Sequence, residues 1–150
     1  MKFLAKILAT CGGIGYFPLA PGTVASFGMI LLYKYWLFQW SWPVYLSMAV
    51  PFYALGVWAS SVYSNQIKRE DPRTVVIDEA LGQYLALFTL SPTWTLLIMS
   101  FVFFRFFDIL KPLFIKKAEK FFSGWGIMLD DIVAGIYASI LVNLYLLIWS

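Results

Sequence analysis

The chain has 150 residues, of which 61% are hydrophobic, 20% aromatic and 13% charged, with a formal net charge of +3 and no His. That is too apolar for an ordinary water-soluble domain, which carries about 45–50% apolar and about 25% charged residues, and so small a charge gives no ground for a nucleic-acid binder. Without His there is no Ser-His-Asp triad and no His-bearing zinc site, and the lone Cys11 allows neither an internal disulfide nor a Cys cluster.

The opening MKFLAKILATCGG is expected to be retained, because Lys6 interrupts its apolar run and Thr10 precedes Cys11 where a lipoprotein signal has a smaller residue. A cysteine phosphatase would need Arg where Phe17 stands. Four apolar tracts follow, at 24–40, 42–63, 81–104 and 132–149. A spanning helix needs about 20 largely apolar residues, a length that the first, second and last tracts approach. Lys34 interrupts the first tract and is expected to snorkel or to face a partner.

The third tract is long enough for one crossing, which would put the basic stretches on either side of it on opposite faces of the bilayer, but Ser91-Pro92 in its middle reads as the N-cap and first residue of a new helix. A turn there puts the basic stretches 64–78 and 105–131 on one side of the bilayer with Lys2 and Lys6, as the positive-inside rule asks of a cytoplasmic face. All charged residues but Lys34 then lie at that face or its boundary. The hairpin arms, 75–90 and 92–107, each cover about 24 Å and need shielding by neighbours or cross only in part. Over 113–123, Phe114, Ala118, Phe121 and Phe122 recur at helical spacing, with Lys116, Lys117 and Lys120 on another face. The stretch reads as a basic amphipathic helix in the headgroup layer, or as a solvated connector. The expected fold is all-α: one polytopic integral membrane bundle over 1–150, with about four to five membrane helices plus this interfacial helix.

On this topology Asp78, Glu79, Asp108, Asp130 and Asp131 converge from three helix ends on one leaflet. Their repulsion calls for a cation, and oxygen-only ligation suits Mg²⁺. The plain alternative for Asp78, Glu79, Asp130 and Asp131 is that acidic residues favour the first turn of a helix. Asp108 sits near a helix C-terminus, where the dipole disfavours it; Arg105 and Lys111 either pair with it or hold a phosphate. Gly22 and Thr23 can present backbone N–H groups and a hydroxyl to an anion, although a turn capped by Thr23 explains them as well.

The segments FPLAPGTVAS (17–26), IDEALGQ (77–83), FRFFDILKP (104–112) and GWGIMLDDIVAGI (124–136) resemble, in order and spacing, the blocks of bacterial phosphatidylglycerophosphatase A. The resemblance implies a Mg²⁺-dependent multi-pass enzyme of the bacterial inner (cytoplasmic) membrane. Its partners would be the bilayer lipids and its substrate phosphatidylglycerophosphate, which loses its terminal phosphate to give phosphatidylglycerol at a site facing the cytoplasm. It places the family motif on Thr23, Asp78, Glu79, Arg105, Asp108, Lys111, Asp130 and Asp131. The metal ligands would then be Asp78, Glu79, Asp130 and Asp131, the catalytic set Arg105, Asp108, Lys111 and Asp131, and the substrate-binding set Gly22, Thr23, Arg105 and Lys111. Asp130 is followed by Asp131-Ile132, so no DxDx[TV] aspartyl-phosphatase motif is present. A small transporter or channel component with a structural carboxylate-cation cluster is the rival reading.

Overall fold

The computed structural model describes residues 1–69, 72–110 and 124–149. Those residues are all-α, as expected: α1 (Lys2–Ala9), α2 (Pro21–Tyr35), α3 (Trp42–Ile67), α4 (Ile77–Ala86), α5 (Trp94–Leu110) and α6 (Gly124–Trp149), with 3-10 turns over Cys11–Tyr16 and Leu37–Gln39. The interfacial helix expected over 113–123 lies outside the described residues.

The boundaries follow from local chemistry. Ala20, in the left-handed region at φ 48°, turns the chain into α2, whose first residue is Pro21; proline is at home there because its missing N–H would find no partner. Ser41 is extended before α3, which also carries Pro in its first turn, and Lys68 closes α3 in the left-handed conformation with its N–H on the Ser64 carbonyl. The break in the third tract is present: α4 ends at Ala86, Thr89 adopts φ 64°, and α5 begins at Trp94, two residues beyond the expected start at Pro92.

Two expectations need correction. The 24–40 tract is not one long helix, since α2 stops at Tyr35 and a 3-10 turn follows. The last helix begins at Gly124, well before Asp130-Asp131. Among the described residues only Trp42–Ile67 and Met128–Trp149 are long and apolar enough to cross a membrane, and 28% of the most apolar window of each is buried inside the molecule. Their outward faces therefore remain apolar, with Val50, Leu55, Ile140, Leu144 and Leu147 exposed; a soluble protein's core helix would be covered.

The central element is α4, short and largely buried, with α2, α3, α5 and α6 packed around it. Its crossing with α6 depends on two glycines: a Cβ on Gly135 would overlap the Gly82 carbonyl, and one on Gly82 would strike Phe104 and the Asp131 carbonyl. Small residues let helix backbones approach in this way. At the far end the Tyr45 and Tyr84 rings stack at 4.0 Å, each hydroxyl donating to the other residue's carbonyl, at 2.6 and 2.5 Å. Lys34 is there too. Its ammonium donates to the Pro92 carbonyl at 2.8 Å and lies 4.7 Å from the Trp94 ring, so the one interior charge of the first tract meets a partner.

Candidate metal and phosphate site

At the other end, Asp78 and Glu79 stand in the first turn of α4, and Asp130 and Asp131 lie in the second turn of α6. Helix-dipole stabilisation accounts for the first pair's sequence position but not for the second pair, because α6 has no acidic residue in its first turn. Asp78, Glu79 and Asp131 each bring a carboxylate oxygen to within 4.8 Å of the others. Asp131 is 3% exposed and Asp78 8%. Buried oxygens Asp78 Oδ1 and Glu79 Oε2 accept no hydrogen bond. Unpaired buried acceptors are costly, and three oxygen donors this close form a set that a hard divalent cation fits. Asp130 is not in that group; its Oδ1 accepts the Asp131 N–H at 3.1 Å.

The surroundings tune this cluster. Burial raises the Asp78 carboxyl well above the usual carboxylate range, and the neighbouring Glu79 and Asp131 add to the rise. Burial also raises Glu79, against the opposing pull of its hydrogen bond with Asp78 and of the Arg105 charge. Arg105 Nη1 lies 2.6 Å from Asp108 Oδ2 and 4.0 Å from Glu79 Oε1. That short contact is the expected i,i+3 ion pair on α5, and it joins Asp108 to the cluster, where Asp131 is in electrostatic contact with it. Lys111 lies outside the described residues.

The glycine-rich opening meets the site in a way that spacing alone does not disclose. A Cβ on Gly22 would overlap the Glu79 carboxylate, so the first turn of α2, the positive end of its dipole, backs onto that carboxylate. Thr23 is half-buried in the same turn and is not the cap: Ala20 holds that position, without a side-chain cap hydrogen bond. Cys11, at φ 46°, packs against the hydrophobic core within electrostatic reach of Glu79. Its thiol is pushed up to about 12, first by burial and then by the Glu79 charge, so it offers no thiolate nucleophile. Residues missed from sequence are Gly82 and Gly135, whose close crossing brings α6 and its Asp131 against α4; their signal was a small residue near each acidic pair.

The Phosphatidylglycerophosphatase A family model matches residues 7–146. A Bacteroides thetaiotaomicron protein, named as a candidate phosphatidylinositol-3-phosphatase, is 35% identical over 94% of this chain and 92% of its own length. Proteins named phosphatidylglycerophosphatase A are 34% identical in Haemophilus influenzae, over 91% of this chain and 85% of theirs, and 32% identical in Escherichia coli, over 89% and 78%. No solved structure matches. With the acidic blocks and FRFFDILKP motif inside the matched region, the chain belongs to the phosphatidylglycerophosphatase A family of lipid phosphatases.

Proposed function

We propose that the protein removes the terminal phosphate monoester of phosphatidylglycerophosphate, giving phosphatidylglycerol and phosphate, at the cytoplasmic face of a bacterial inner membrane. The observation that carries this reading is the convergence of Asp78, Glu79 and Asp131, with unpaired buried oxygens, beside the Arg105–Asp108 pair. Three carboxylates alone would repel a phosphate; a cation among them and a guanidinium beside them would hold one. Asp78, Glu79 and Asp131 are the ligands that would hold Mg²⁺, with Asp130 supporting Asp131 through its N–H. Bound there, Mg²⁺ supplies Lewis acidity toward a phosphate oxygen.

The remaining work falls to the chain itself. Arg105 neutralises charge on the transferred phosphoryl group, and Lys111 adds a second cation. Asp108 orients the Arg105 fork, takes a proton from the water that attacks phosphorus as the ester P–O bond breaks, and passes that proton on to the departing glycerol oxygen. Gly22 and Thr23 bind the headgroup phosphate at the positive end of α2. Burial of Asp78 and Asp131 keeps bulk water from the reacting centre. The whole chain 1–150 acts as one domain, a multi-pass bundle of about four to five membrane helices in which α3 and α6 cross fully and the shorter helices are shielded between them.

The purified full chain in neutral detergent, given phosphatidylglycerophosphate, phosphatidylinositol 3-phosphate and a soluble phosphate ester with Mg²⁺ or with EDTA, tests the reading. Release from phosphatidylglycerophosphate with Mg²⁺ alone, and little from the soluble ester, is expected. Preference for the inositol lipid would move the assignment to the substrate in the Bacteroides relative's name. No release from any lipid phosphate with Mg²⁺ would overturn it.

A further inference from the structure

The first helix has an unusual division of faces. Ala5 and Ala9, both fully buried, seat α1 against α3. The face turned away from the protein should be polar in a water-exposed helix, yet at 100° per residue it carries Phe3, Leu4 and Ile7, which are 75%, 54% and 38% exposed. Lys2 and Lys6 occupy one edge between these two apolar faces. Such a helix fits the plane of a membrane interface, with acyl chains outside it and headgroups along the lysine edge.

Other cations gather at that edge. Gln66 Nε2 donates to the Lys2 carbonyl at 3.3 Å, which brings Lys2 beside the end of α3, where Lys68 and Arg69 are exposed. Lys6 lies 5.4 Å from the Tyr16 ring; Tyr16 and Tyr63 share a hydroxyl hydrogen bond of 2.8 Å, and Thr74, next to exposed Arg73, donates to Tyr63. Among the described residues none of these five cations has an ion-pair partner. In the sequence Glu70 and Asp71 stand between Arg69 and Arg73, two acidic residues against these five cations.

We propose that α1 and the adjoining end of α3 form a docking surface for anionic phospholipid headgroups of the surrounding leaflet, with Phe3, Leu4 and Ile7 in the acyl layer and the Lys2–Lys6 edge against the phosphates. This surface is separate from the carboxylate site, and it rests on the membrane-embedded reading rather than on any phosphatase activity. It is nevertheless tied to the site's scaffold, because the Val76 N–H, two residues before Asp78, donates to the Ala9 carbonyl at 2.9 Å.

The test is lipid binding by the full chain in neutral detergent, titrated with phosphatidylglycerol or phosphatidylcholine and read by native mass spectrometry. Preferential retention of phosphatidylglycerol is expected. Each basic residue near an anionic surface is worth about fivefold in affinity, so Lys2→Gln with Lys6→Gln should weaken that retention about 25-fold, while the Arg pair preserves it. Equal retention of the two lipids, or an unchanged Gln variant, would overturn the proposal. For a variant that unfolds, a fluorophore on Phe3→Cys in a Cys11→Ala background supplies a second reading. In phosphatidylglycerol nanodiscs it should be quenched by shallow nitroxide lipids. Solvent-like emission there, or Phe3→Cys cross-linking between copies, would count against a lipid occupant.

Discussion

At the scale of single residues, the carboxylates invite two tests. Asp131→Asn should reduce phosphate release by more than about a hundredfold, since even residues behind metal ligands cost 10–100-fold, while the thermal unfolding midpoint in EDTA stays the same or rises as mutual repulsion is relieved. Full activity would remove Asp131 from the site. The second test is pH. Burial places the folded-state pKa values of Asp78 and Glu79 above their unfolded values, so the folded state binds more protons and stability falls as pH rises from about 4, the ordinary carboxylate value. Thermal unfolding of the EDTA-treated protein should show that decline, and Mg²⁺ should flatten it; superimposable profiles would contradict cation binding at these residues. The acidic set was legible in sequence because so few charges had to be placed. Its division was not, since only the backbone shows Asp130 turned to the Asp131 N–H and Gly22 turned to Glu79.

Among the elements, the α4–α6 crossing is the contact on which the site depends. Gly135→Leu would drive a side chain into the Gly82 carbonyl and should destabilise the protein by about 1–3 kcal/mol or more, with Mg²⁺ affinity falling together with activity. A substitution as stable and as active as the parent would show that the crossing has room. Helix breakers were read well: Ser91-Pro92 does separate two helices, and the Gly-rich opening does turn. Helix lengths were read less well, because an apolar run records burial and lipid contact rather than backbone state. The 24–40 tract therefore concealed the end of α2 at Tyr35, and Gly124, Trp125 and Gly126 concealed the start of α6.

For the whole molecule, charge was the most informative signal. Among the described residues every charged side chain except Lys34 collects toward the end that holds the carboxylates, and Lys34 is satisfied at the opposite end by Pro92 and Trp94. If that charged end is cytoplasmic, as the positive-inside rule requires, Arg73→Cys should react with an impermeant maleimide only in inverted vesicles and Ser41→Cys only in intact cells, both in a Cys11→Ala background. The reverse pattern would invert the protein. The distance between the two ends has its own consequence. Within the 15 residues of α2, the stretch from Gly22 at the carboxylates to Lys34 at the far turn rises about 18 Å, against a hydrocarbon thickness of about 30 Å. On the proposed multi-pass arrangement, that hydrophobic mismatch would be met by a thinner bilayer around the protein or by a site recessed below the phosphate plane. Turnover in nanodiscs should accordingly rise as the host acyl chains shorten, making the membrane's thickness a variable of the enzyme's rate.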